Sequence, residues 1–347
     1  MKFPKAIVTS VAIMILPLIA LLIGGCGTSN KQKLYIYTWS EIFDPALIAE
    51  FETKFDCKVI IDIFDTNESM YAKLKLTSAG YDIICPSHYF VSILAQQKMI
   101  QALDSKLLPD LMNLDPKYFT LTDPLYAVPY IVSFSGIGYR QDKINEISPS
   151  YGVFGRVDLR GRMTMLNDSR EAIGAALKYL GYSVNSREPK EIEKAGDLLI
   201  QWKKNLAKFE SEQYKSGLSS GEFLVVQGYS TDILQVQSEN KSVVFLFPSE
   251  GVITSIDCLS IPEGAQNTEL AYKFINFMIG TEVAAQNIRY AAALSPVASA
   301  YPLLGEDIRN NPIYFPPKDV IDKMERIEDL QGDVQYYYKT WDRVKAS

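Results

Sequence analysis

Carboxylates set beside aromatic rings are the groups through which this chain could do chemistry. Trp39-Ser40-Glu41 ends one strand-like run and Ser87-His88-Tyr89 ends another. In open α/β sheets the carboxyl ends of strands face the crevice, although a plain surface turn would also account for the first of them. Asp168-Ser-Arg-Glu171 has the spacing of a capping box, with aspartate at the N-cap and glutamate at the third helical position. Such a box is worth about 1 kcal/mol without any ligand, and spacing alone favours that structural role. Asp257 is different. It lies inside the apolar run Ile253–Ile261, with no lysine or arginine near it in sequence. A carboxylate there is costly unless paired, so its partner comes from a distant part of the fold or from outside. Tyr229 and Asp232 add a ring and an acid just past Val225-Val226. A cleft lined by such acids repels anions.

Other chemistries find little support. The 347 residues contain one histidine, His88, which argues against a histidine-rich metal site or His-dependent catalysis. Gly217-Leu-Ser219-Ser-Gly221 has the G-x-S-x-G spacing of a nucleophile elbow, but a polar stretch precedes it and apolar strand-like residues follow. The elbow needs a strand before it and a helix after it, so a Ser/Gly loop is the expectation. There is no phosphate-binding or dinucleotide glycine motif, no paired CxxC and no HExxH. No cofactor, no metal and no enzymatic activity are expected. The net charge of −6 supplies no basic face for phosphates, which excludes a nucleic-acid partner.

The elements that must position these residues alternate between strand and helix. Leu34–Thr38, Lys58–Phe64 and Asp82–Cys85 read as strands. Between and after them come helices starting at Asp44-Pro45, over Asn67–Ser78 and over Tyr89–Gln97. This order predicts a mainly parallel sheet covered by helices. Ile131–Tyr139 could carry the chain to a second α/β set, with strands at Met163–Leu166, Phe223–Val226 and Val243–Phe247. Helices are expected over Ser169–Leu180 and, as one long amphipathic segment, Lys190–Phe209. Val252–Ile261 could bring the chain back, ahead of helices at Thr268–Ile279, Glu282–Arg289 and Asp333–Lys345. The fold class is therefore α/β with two lobes, each a mainly parallel sheet flanked by helices, joined by more than one crossover. The expected division is residues 33–135 plus 256–303 for lobe 1, and 136–255 plus 304–347 for lobe 2.

Ahead of the lobes, Lys2 and Lys5 precede an apolar run from Ala6 to Gly25, the layout of a secretory signal over residues 1–25. Ile23-Gly24-Gly25-Cys26 resembles a bacterial lipobox, after which Cys26 becomes the lipidated N-terminus. Export with a lipid anchor to a membrane follows. Cleavage leaves 33 basic against 41 acidic residues, a charge of −8. Cys57, Cys85 and Cys258 sit in apolar runs and read as small buried hydrophobes; an odd number leaves at least one thiol unpaired.

Several stretches match a known pattern in order. They include Tyr37-Thr-Trp-Ser-Glu41, Glu68-Ser-Met-Tyr-Ala-Lys-Leu-Lys75, Tyr81-Asp-Ile-Ile-Cys-Pro-Ser87 and Pro129-Tyr130. Asp168-Ser-Arg-Glu171, Lys178-Tyr-Leu-Gly-Tyr182, Pro189-Lys-Glu-Ile-Glu193 and Ile256-Asp-Cys-Leu-Ser-Ile-Pro262 continue it. Together they resemble the spermidine/putrescine-binding proteins of bacterial ABC importers, from about Leu34 to Lys345. The resemblance implies a two-lobed periplasmic-binding-protein fold that closes on its ligand, a polyamine guest and a membrane permease as partner; a monomer is expected. It places the polyamine site on Trp39, Ser40, Glu41, Ser87, Tyr89, Asp168, Glu171, Tyr229, Asp257 and Gln331, with Asp232 matching an acid of the putrescine-preferring branch. The chemistry fits, because a polyamine needs carboxylates for its ammonium groups and aromatic faces for its methylenes. The five acids exceed the charge of a triamine, so not all of them are expected to touch the guest.

The chain also departs from that pattern. Ser255 and Ala293 stand where relatives carry aromatic rings, and Ile42 replaces another. Each lost cation–π contact costs ~0.5–2 kcal/mol, roughly tenfold or more in affinity for the set. A surface adhesin or sensor that keeps the fold without transport, or a site for another cationic solute, stays open as an alternative.

Overall fold

The computed structural model describes residues 31–76, 80–119 and 121–347. The expected signal segment and Cys26 lie outside the described residues.

Strand β1 (Gln32–Thr38) is flanked by β2 (Cys57–Ile63) and β3 (Ile83–Ile84), both parallel to it. Its side chains alternate between two apolar clusters, Leu34 and Ile36 into one and Tyr37 into the other. Both faces are covered, as a parallel sheet requires. Helix α1 (Pro45–Phe55) starts as the sequence predicts: the Asp44 carboxylate accepts from the Ala46 N–H at 2.8 Å, with proline at the first helical position. Helices α2 (Asn67–Leu76) and α3 (His88–Gln96) follow β2 and β3.

Two long strands link the halves. β4 (Val128–Arg140) pairs antiparallel with β9 (Ile253–Leu259), from Val128↔Leu259 to Ser135↔Ile253. At one end, bridges Ile84–Ser260 and Ser87–Asp257 tie β9 to the first sheet. At the other end, β4 pairs antiparallel with β7 (Val225–Tyr229) and β8 (Val243–Leu246). The second sheet runs β10-β9-β4-β7-β5-β6, where β5 is Met163–Met165, β6 Leu206–Phe209 and β10 Glu325–Arg326. The β5–β6, β5–β7 and β9–β10 pairs are parallel. Helices α4 (Ser169–Tyr179), α5 (Pro189–Lys203), α6 (Tyr214–Ser220) and α7 (Ser230–Glu239) belong to this half. Then α8 (Thr268–Met278) and α9 (Thr281–Ala291) return to the first half, and α10 (Val334–Ala346) closes the second.

Two expectations need correction. The single helix expected over 190–209 ends at Lys203. Trp202, Leu206 and Phe209 keep a helical spacing, but Leu206–Phe209 pairs with β5, and the turn is held by buried Asn205, whose Nδ2 donates to the Phe154 carbonyl at 3.2 Å. The Gly217–Gly221 loop is instead helix α6, which ends on Gly221 in the left-handed region (φ 82°). Ser219 is therefore a helical residue, and Gly217 is needed because a Cβ there would run into the Phe223 ring. Leu304, Ile308 and Tyr314, past the boundary expected at 303/304, are buried in the same apolar cluster as Leu34 and Phe274. Cys57, Cys85 and Cys258 are buried free thiols.

Candidate functional site

Between the two sheets lies a cleft open to solvent. The turn after β1 brings Trp39, Ser40 and Glu41 to it, and the start of α3 brings Ser87 and Tyr89. From the other half, the first turn of α4 supplies Asp168 and Glu171, the end of β7 Tyr229, and the first turn of α7 Asp232. Asp257 enters from the crossing strand β9. Ten of the eleven residues singled out in the sequence thus line one cleft. Gln331 does not. It is exposed in the turn Gln331–Asp333, a segment that Arg187 holds through the Leu330 carbonyl (3.2 Å) and Asp333 (2.8 Å). Ile327, earlier in the same segment, reaches the cleft instead.

Of the seven acids that line the cleft, six fall into two groups, with Asp65 apart from both. The first is Asp168, Glu171 and Asp257. Asp168 caps α4 as its spacing suggested, accepting from the N–H groups of Arg170 (2.8 Å) and Glu171 (3.0 Å). Both bonds fall on Oδ1, so one side chain caps the helix and lines the cleft at once. Glu171 is buried outright, and its Oε2 has no hydrogen-bond partner among the described residues. Asp168 and Asp257 keep partial exposure to the cleft. Desolvation by the surrounding protein still raises all three carboxyls, Glu171 to about 8 with the Asp168 charge adding to it, and Asp257 to about 7. The Ser87 hydroxyl donates to Asp257 Oδ1 at 2.9 Å and pulls in the opposite direction. The Trp39 indole N–H is turned toward the same carboxyl without closing a regular hydrogen bond.

No lysine or arginine forms a salt bridge with these three acids among the described residues. The cation whose charge reaches Asp168 and Glu171 is buried Arg170, whose guanidinium is committed to the Glu328 carbonyl (3.0 Å) and Asn185 (2.9 Å). It also stands 4.8 Å from the Tyr337 ring and 5.8 Å from that of Tyr89. Its charge tempers the Asp168 and Glu171 shifts without cancelling them.

The second group is Glu41, Asp232 and Glu212, and here the chain provides its own cation. Lys215 Nζ lies 2.7 Å from Glu41 Oε2, a bridge from α6 in one half to the turn after β1 in the other. Burial lowers the Lys215 pKa, but Asp232, Glu41 and Glu212 outweigh it and the net shift is upward. Desolvation raises Asp232, which also accepts from the Tyr214 hydroxyl at 2.5 Å. Glu41 itself sits at φ 56°, a left-handed turn that projects its side chain toward Lys215.

Sequence reasoning missed Lys215, Glu212 and Asn67. Asn67 is buried and braces the first half's contribution: its Nδ2 donates to Ser87 Oγ and Tyr89 Oη, both at 3.1 Å, and its Oδ1 accepts from the Ser87 N–H at 3.0 Å. Its place at the start of a helix looks like ordinary capping, so no signal separated it. The three departures in sequence, Ile42, Ser255 and Ala293, all line the cleft. Ser255 pairs with Ser133 across β4 and β9, so two hydroxyls form that wall.

Two crossing strands and a carboxylate cleft between α/β lobes define a solute-binding protein. Residues 46–316 match the model of the family described as bacterial extracellular solute-binding protein. The putrescine-binding periplasmic protein SpuD of Pseudomonas aeruginosa is 31% identical, covering 93% of this chain and 94% of its own. The solved structure of a putative spermidine/putrescine ABC transporter from Listeria monocytogenes superposes with TM-score 0.86 at 29% identity, over 90% of this chain and 99% of that one. The Tp0655 (TpPotD) lipoprotein of Treponema pallidum gives 0.80 at 29% identity, over the same shares. The chain belongs to the bacterial extracellular solute-binding proteins, among the spermidine/putrescine-binding periplasmic proteins.

Proposed function

We propose that this chain is a lipid-anchored receptor that captures a polyamine in the cleft and hands it to the permease of an ABC importer. One observation carries the reading: Asp168, Glu171 and Asp257 converge on a single cleft from both halves, and among the described residues no cation of the chain bridges to them. Like charges so enclosed resist ionising together. An organic ammonium relieves that resistance, whereas an anion meets repulsion. Tyr89, Tyr229 and Trp39 supply faces for methylenes and cations. The relatives' names, putrescine-binding and spermidine/putrescine, agree with this chemistry.

The lobes are assigned as residues 33–135 with 256 to about 316, and 136–255 with the remainder, so that β4 and β9 form the hinge. The anchor rests on the lipobox-like Ile23–Cys26 and is consistent with the lipoprotein from Treponema pallidum. Titration calorimetry of the soluble form lacking residues 1–26, with putrescine, spermidine and spermine, tests the ligand class. Heat from at least one amine at micromolar protein is expected. No heat from any of them refutes it. Labelling with a radioactive fatty acid, with Cys26→Ser as control, tests the anchor.

A further inference from the structure

Of the two acid groups in the cleft, the outer one is bridged by a cation from the chain, while among the described residues no salt bridge reaches the inner one. Lys215 bridges to Glu41 at 2.7 Å, and Asp232 and Glu212 add their charges to the same ammonium. Its position is not accidental to a mobile surface chain. The preceding residue, Tyr214, is fully buried, and its hydroxyl is fixed between Asp232 (2.5 Å) and the Tyr229 N–H (3.2 Å). The first turn of α6 is thereby pinned to the site, and Lys215 is largely enclosed, its side chain 19% exposed.

Resting on the polyamine reading, we propose that Lys215 is a resident cation that takes the place of one ligand ammonium and sets the length of amine the cleft accepts. The inner acids, Asp168, Glu171 and Asp257, take the ammonium groups of a short diamine. A longer triamine that reaches Glu41 and Asp232 brings a third ammonium to carboxylates whose charge Lys215 already offsets. It must either sit beside a like charge or expel Lys215 from its bridge. Both cost affinity that a diamine retains. The missing rings at Ser255, Ala293 and Ile42 do not discriminate in this way, because they weaken packing for every amine alike.

The test is the spermidine-to-putrescine affinity ratio by calorimetry for the wild type, Lys215→Met and Lys215→Arg. The wild type should favour putrescine, and Lys215→Met should shift the ratio toward spermidine by about tenfold or more, while Lys215→Arg keeps the wild-type ratio. A ratio unchanged within about threefold in Lys215→Met overturns the proposal. No heat from the wild type with either amine refutes the ligand class instead, so the two failures are distinct. Lys215→Gln gives a second reading should Lys215→Met fail to fold, because it removes the charge and keeps a polar side chain of similar reach. Its ratio should also move toward spermidine by about tenfold or more, and a ratio within about threefold of the wild type overturns the proposal.

Discussion

Replacing Asp257 with asparagine should move binding and stability in opposite directions. The side chain keeps its shape, and the amide oxygen of the Asp257→Asn variant can still accept from the Ser87 hydroxyl, which lies 2.9 Å from the carboxylate in the native chain. What disappears is a carboxylate that no lysine or arginine bridges among the described residues. Losing a charge-assisted bond to a ligand ammonium in an enclosed site costs about 2–4 kcal/mol, roughly 30- to 1,000-fold in Kd. The ligand-free protein should gain. Desolvation holds the folded-state pKa at about 7, against about 4 in the unfolded chain. Such a group favours the fold below pH ~4, and that contribution is lost as pH rises through ~7. Asparagine removes the penalty at pH 8. Three units would be worth about 4 kcal/mol as an upper bound, and partial exposure to the cleft reduces this to about 1–2 kcal/mol. Calorimetry and thermal unfolding at pH 8 read both effects, the second as a rise in Tm of about 2–5 °C. Asp44→Asn is the control, since Asp44 caps α1 outside the cleft and asparagine caps about as well. Equal loss of binding in the two variants would refute the placement of the site.

Three further outcomes follow from the same geometry. Polyamine affinity should rise from about pH 6 to 8 with proton release on binding, because Glu171 near 8 and Asp257 near 7 must ionise to hold the cation; a flat profile in calorimetry with buffers of different ionisation heat contradicts this. Asn67→Ala should lower affinity and Tm together, by about 1–3 kcal/mol, since Ser87 and Tyr89 lose their shared brace; unchanged binding would mean that neither residue meets the guest. Restoring a ring with Ala293→Tyr or Ser255→Tyr should tighten binding by ~0.5–2 kcal/mol, read by the same titration, and weaker binding would show that the small side chains make room the ligand needs.

Much of this was legible in the sequence wherever local chemistry and tertiary role agree. The alternation around Leu34 and Ile36, and the Asp44-Pro45 start of α1, are local signals that the packing kept. Asp257 was the clearest clue to the site because an acid inside an apolar strand has no local explanation. Asp168 shows why spacing alone misleads: the cap and the cleft position are the same side chain, and only the fold reveals the second. Other features depended on tertiary context. Helix α6 is seven residues long and contains glycine and serines, weak helix formers that packing of Tyr214 and Leu218 overrides. Hiding α6 also hid Lys215. Gln331 failed for a related reason, since it lies in an irregular segment held by Arg187, which is far from it in sequence.

The most direct measurement is a crystal structure of the soluble form with putrescine. One ammonium should lie within hydrogen-bonding distance of Asp257 and an acid of the α4 first turn, Asp168 or Glu171, with Lys215 still on Glu41. A diamine bound elsewhere, or in the cleft with both of these inner positions turned away from it, would contradict the claim that carboxylates from the two halves jointly hold the guest.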